Sequence, residues 1–235
     1  MQRGPRTAPF DDVMERGYLL AAYDKAATLG TAAVHPEEPL RSIAVATKAG
    51  WVVRFGKLDK QRNSFLVSYE ALPEQGGYRA VAVEPPRIER GFTAAAARAV
   101  ELTTAGPHQS RAVVPSPDGN LFVYSYPAVT RSAEAFIGPD LRQLVSSDGN
   151  TVLATRVMHA TETRLEVEVG GTRSASVVHR HRNEELEDTD VAFSIEYGMG
   201  QFVILPSKAA IMVNEFGVPH QFTEAEMRDL LNRKQ

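Results

Sequence analysis

Hydrophobic positions follow a helical spacing in the first 30 residues of the chain. The pattern predicts a helix from about Asp12 to Leu29, because Asp12 and Glu15 have capping-box spacing and Gly30 follows as a stop. The period then changes to an alternation typical of strands, with successive runs at 51–55, 65–69 and 78–82. One helix followed by an antiparallel meander predicts a small helix-on-sheet unit.

Pro85-Pro86 interrupts this alternation, and neither proline can donate a hydrogen bond within a sheet. We therefore predict two domains, an accessory helix-plus-meander unit over 1–88 and a larger unit over 89–235. A second, alanine-rich helix is predicted from Thr93 to Ala105, with Gly106-Pro107 as its stop. Strands dominate the rest, so the predicted fold class is α+β.

Two hairpin turns and a final helix complete the predicted elements. Pro117-Asp118-Gly119-Asn120 and Ser147-Asp148-Gly149-Asn150 each place a glycine where positive φ is needed between two strand patterns. The C-terminal helix is predicted from its capping box, Thr223 and Glu226.

The candidate chemistry is concentrated in Val177-Val178-His179-Arg180-His181, which has the pattern of a strand. Residues two apart in a strand point the same way, so His179 and His181 share a face and can bind one divalent ion. A third ligand is available in the acidic run that follows, where Asp188 or Thr189 can cap a short helix through about Ile195 and Asp190 lies in its first turn.

An ordinary surface also explains the same residues, and the sequence alone favours it. Two histidines flanked by Arg180 and Arg182 can form a solvated strand, and the acidic run can be a set of exposed ion pairs of small energetic value. His159 is interpreted as a strand residue. Both interpretations of the His-x-His pattern remain open at this point.

The order of elements in 92–216 resembles the JAB/MPN metalloisopeptidase superfamily, especially its divergent bacterial JAB-like domains. The resemblance implies a mixed sheet with flanking helices and a zinc ion held by His179, His181 and Asp190. It also implies a catalytic role for Thr189, which falls where the family has Ser or Thr. The family's catalytic Glu has no counterpart in Arg111-Ala112-Val113-Val114, which leaves Glu184 or Glu101 as the candidate acid.

Two functions follow from this resemblance. The first is a zinc metallohydrolase, peptidase-like or isopeptidase-like, in which metal-bound water attacks an amide or isopeptide carbonyl of a protein or peptide substrate. The second keeps the fold but makes it a non-catalytic binding or structural module that contacts partners through its surface.

Composition narrows the classes of partner. A formal charge of −3 and a pI near 6.1 give no global attraction to nucleic acid or anionic membranes, so neither is an expected partner. No apolar run approaches the roughly 20 residues that a membrane helix requires. The absence of cysteine excludes disulfides and thiolate metal sites, and it suits the cytoplasm or, after removal of a signal peptide, the periplasm.

Overall fold

The computed structural model describes residues 9–36, 38–103, 109–128, 134–166 and 176–232. It has an α+β fold whose parts form two compact units. The described residues of Met1–Ala21, Pro127–Asp140 and Met158–Gln235 form the first unit, and those of Ala22–Tyr126 and Leu141–Val157 form the second. No helix in these ranges has both the length and the apolar composition needed to cross a membrane.

The second unit contains the predicted antiparallel meander. Its strands pair in chain order and are β1 (Arg41–Thr47), β2 (Gly50–Asp59), β3 (Ser64–Glu74) and β4 (Gly77–Glu89). A second sheet has the order β5, β6, β8, β9, with bounds Gln109–Pro115, Leu121–Pro127, Asp140–Val145 and Val152–His159. The strand ends at Pro127, Asp140 and 158–159 belong to the first unit. Helix α2 (Phe92–Leu102) completes this unit, and its predicted stop Gly106-Pro107 lies outside the described residues.

Both sheets of the second unit share one hydrophobic core with α2. Fully buried alanines of α2 pack with Phe65 and Val67 of the meander and with Val113 and Val123 of the other sheet. The predicted division near residue 88 therefore falls inside this unit, because the alanine face of α2 is covered by the meander as well as by the strands that follow.

Helix α1 (Asp11–Ala33) is longer than predicted, since Gly30 lies within the helix and does not end it. A β-carbon at Gly30 would lie 2.6 Å from Val53 Cγ2, so glycine lets the helix approach β2 closely. Gly30 therefore allows α1 to pack closely against β2, whereas the sequence predicted that it ends the helix.

The first unit contains a mixed sheet. Its strands are β11 (Ser176–Arg180), β12 (Gly200–Ile204), β13 (Ala210–Val213) and β14 (Pro219–Gln221). β11 and β12 are parallel and the other pairs are antiparallel, as expected of a strand–helix–strand crossover through α3 (Asp188–Tyr197). A short pair, β7 (Glu134–Ile137) with β10 (Thr163–Glu166), and α4 (Glu224–Asn232) complete the unit. The Thr223–Glu226 capping box of α4 is confirmed.

A buried acid in the second unit gives a prediction about pH. Asp24 is 7% exposed and accepts a 2.6 Å hydrogen bond from the Tyr126 hydroxyl. Burial raises the pKa of Asp24 above its ordinary value, and the hydrogen bond offsets only part of that effect. The folded state therefore binds more protons than the unfolded state between the two pKa values, and stability falls as the pH rises through that window.

The isosteric change Asp24→Asn is expected to stabilise this unit at pH 8 and to have little effect at pH 3.5, where the wild-type carboxyl is already neutral. Urea unfolding followed by the fluorescence of Trp51, the single tryptophan, measures this difference. Asp118→Asn is the control, and its effect on stability is expected to have the opposite sign. Asp118 is exposed, and a hydrogen bond from Ser116 lowers the pKa of its carboxyl. A gain from Asp24→Asn that is the same at both pH values would contradict the prediction.

Candidate metal centre

His179 and His181 lie on one buried face at the end of β11. Each is 7% exposed, while the intervening Arg180 is exposed, so the predicted alternation holds. The backbone N–H of His181 donates to the carbonyl of Ile204, which keeps this residue in line with the strand. The two Nε2 atoms are 3.0 Å apart, and the interpretation as a solvated strand is therefore wrong.

Asp190 reaches the same point from the first turn of α3. The N-cap of this helix is Glu187, not Asp188 or Thr189, and Glu187 and Asp190 form a reciprocal capping box. Asp190 Oδ2 accepts the backbone N–H of Glu187 at 2.8 Å, which turns Oδ1 toward the imidazoles. The carbonyl of Asp190 accepts a hydrogen bond from Gln201 of β12. The carboxylate is thus held by helix and sheet together.

A third histidine, His159 at the end of β9, completes the cluster. Its Nε2 lies 3.0 Å from His181 Nε2 and 3.3 Å from Asp190 Oδ1. Its Nδ1 lies 2.9 Å from both oxygens of buried Asp140, which also accepts the backbone N–H of His159. Gly138 permits this arrangement, because a β-carbon there would be 2.7 Å from His159 Cβ and the backbone φ is +61°.

One ligand atom from each of the four residues lies within 4.8 Å of the other three. Five of the six pairs among the three Nε2 atoms and Asp190 Oδ1 are separated by 3.0, 3.0, 3.1, 3.3 and 3.4 Å. A tetrahedral ion with metal–ligand distances of about 2.0–2.1 Å requires its ligands to lie about 3.3–3.4 Å apart. His159, His179, His181 and Asp190 are all buried and can hold a metal ion.

The charges within the cluster shift its proton affinities. Burial disfavours the protonated form of His159, but the negative charge of Asp190 and the hydrogen bond to Asp140 outweigh it and raise the pKa of His159 to about 11. Burial likewise opposes the ionised form of Asp190, yet the three imidazoles hold its pKa well below the ordinary value. A metal cation entering here replaces a proton that the site binds strongly.

The acids and the hydroxyl predicted to take part in catalysis make other contacts. Thr189 is buried, and its hydroxyl points to the sulfur of Met158 at 4.0 Å. Glu184 is exposed and lines a pocket with Arg16 and Leu205. Glu101 belongs to the second unit, where it forms ion pairs with Arg41 and Lys60. The catalytic roles of Thr189 and Glu184 stay predictions.

His159 is the member of the cluster that sequence reasoning missed. Its position between Met158 and Ala160 indicates a strand residue rather than a ligand. Its partner Asp140 precedes it by 19 residues, across the hairpin of β8 and β9. Met158 and His159 are buried at the end of a strand whose other residues are exposed or partly exposed. This contrast is visible in the structure and not in the sequence.

Comparison of the chain with protein-family models, with curated proteins and with solved structures gave no match.

Proposed function

We propose that this protein is a zinc metalloprotein whose ion is held by His159, His179, His181 and Asp190. The observation that carries the proposal is the close approach of four buried ligand atoms from separate parts of the chain, five of whose six separations are 3.0–3.4 Å. Three imidazoles and one carboxylate, without sulfur, form a donor set that zinc accepts readily in tetrahedral geometry.

The contacts of the second ring nitrogens of His159 and His181 support the same proposal. Metal-binding histidines generally donate their second ring N–H to a carboxylate or a backbone carbonyl, which fixes the tautomer and the ring orientation. His159 has Asp140 in this position, and His181 Nδ1 lies 2.8 Å from the carbonyl oxygen of Glu185. Both rings are therefore oriented with Nε2 toward the common point.

The number of protein ligands favours the non-catalytic function over the hydrolytic one. Structural zinc sites have four protein ligands, whereas catalytic sites have three and leave a position for water. With all four groups bound, the ion would join His159, β11 and α3 and stabilise the first unit.

Zinc-dependent hydrolysis is the second candidate. It is favoured by the order of a strand with His-x-His, a helix with Asp190 in its first turn, and a parallel strand. This is the order implied by the resemblance to the JAB/MPN superfamily. Chelator-sensitive cleavage of amide-linked and isopeptide-linked substrates by the zinc-loaded protein would support it.

Zinc content tests the primary proposal. Protein purified without a histidine tag is expected to contain about one zinc per chain, and His181→Ala is expected to reduce this to background because it removes one ligand and opens the buried cluster. His220→Ala is the matched control, since His220 is half exposed and pairs with Glu226 on the same unit. Equal zinc in both variants, or none in the wild type, would refute the site.

A further inference from the structure

The three histidines of the metal centre differ in what supports their second ring nitrogen. His159 Nδ1 faces the two oxygens of the Asp140 carboxylate at 2.9 Å, and His181 Nδ1 faces a neutral carbonyl at 2.8 Å. His179 Nδ1 is buried and has no hydrogen-bond partner among the described residues. The second ring nitrogen therefore faces a charged carboxylate in His159 and a neutral carbonyl in His181, and in His179 it has no partner among the described residues.

This difference matters because a metal ion at Nε2 forces the ring proton onto Nδ1. His159 and His181 then donate that proton to an acceptor. His179 would instead bury an N–H group without a partner, a penalty equivalent to roughly 10- to 100-fold in affinity. Metal binding therefore leaves the second ring nitrogen of His179 unpaired, whereas the other two rings pair theirs with an acceptor.

His179 also has a favourable arrangement without the metal. Its Nε2 lies 3.1 Å from Asp190 Oδ1, so a ring protonated at Nε2 can donate to this carboxylate. Its chain neighbours Val178 and Arg180 are exposed, with Val178 at 60%, so solvent reaches the face of β11 opposite His179.

We infer that His179 is the exchangeable ligand of the centre, and that a single oxygen donor, water or a substrate carbonyl, takes its place on the metal. The inference rests on the zinc site proposed above. In the exchange the metal–Nε2 bond breaks and a metal–oxygen bond forms, while Nδ1 releases its proton and Nε2 takes one up. His159, His181 and Asp190 remain as the three permanent ligands, the number found in catalytic zinc sites.

Cobalt titration tests this inference, because tetrahedral Co²⁺ has an intense visible spectrum that reports its ligands. His179→Ala is expected to keep a tetrahedral spectrum with affinity lowered by no more than about tenfold, whereas His159→Ala and His181→Ala are expected to lose more than about 100-fold. Azide, a small anionic ligand, should change the spectrum of His179→Ala, since it replaces the water that has taken the vacant position.

His179→Gln is a second variant that keeps a polar side chain of similar length, and circular dichroism verifies that each variant is folded. Equal losses of affinity in all three alanine variants, or an azide-insensitive spectrum in both His179 variants, would overturn the inference and leave the zinc site intact. Failure of the wild type to bind Co²⁺ would overturn the zinc site itself, so the two failures are distinguishable.

Discussion

Gly149→Ala is expected to destabilise the second unit by roughly 2–5 kcal/mol. Gly149 has φ +77°, and a β-carbon there would overlap the carbonyl oxygen of Ala95 and lie 2.8 Å from its carbonyl carbon. The clash is with helix backbone, which cannot move aside as a flexible side chain can. Left-handed strain of about 1–2 kcal/mol and overpacking of about 1–3 kcal/mol both contribute.

The chain contains its own matched control for this change. Gly119 occupies the equivalent position of the other Ser-x-Asp-Gly-Asn turn, with φ +86° and nothing within 4 Å of an added β-carbon. Gly119→Ala should therefore cost only the strain, about 1–2 kcal/mol. Urea unfolding followed by Trp51, which lies in the same unit, compares the two variants. Equal losses would show that the approach of the turn to Ala95 is unimportant.

Zinc is expected to raise the melting temperature of the wild type by more than about 10 °C when present at a thousand times its dissociation constant. An ion that binds only the folded state adds about 4 kcal/mol under those conditions. Asp190→Asn should remove most of this shift, because it replaces the one anionic ligand by a neutral amide. Asparagine can still accept the backbone N–H of Glu187, so the helix cap is preserved.

Differential scanning calorimetry with zinc and with excess chelator measures the shift. Asp229→Asn is the control, because Asp229 is an exposed carboxylate on α4 and should leave the zinc-dependent increase unchanged. An undiminished zinc shift in Asp190→Asn would mean that the ion binds elsewhere.

The elements of the fold were largely predictable, because each has a local cause. The meander follows from alternation, the two hairpins from their Asp-Gly turns, and α4 from the Thr223–Glu226 capping box. The end of α1 was not predictable, since the role of Gly30 is decided by Val53 on a distant strand. The grouping of α2 with the meander likewise depends on which sheet covers its alanines.

The candidate site was predictable only where its members are close in sequence. His179 and His181 share a strand face and Asp190 follows within one crossover, so spacing alone brought them together. His159 and Asp140 join through tertiary packing, and no periodicity connects them with the other ligands. The sequence therefore indicated a three-ligand site with a free position, and the structure adds a third imidazole, His159, as the fourth potential ligand.

The contact between His159 and Asp140 also affects the charge that an ion in this cluster would meet. A divalent ion, the carboxylate of Asp190 and the outer carboxylate of Asp140 would sum to zero net charge. Buried charge without compensation is energetically costly. The two carboxylates therefore match the charge of the divalent ion proposed for this site.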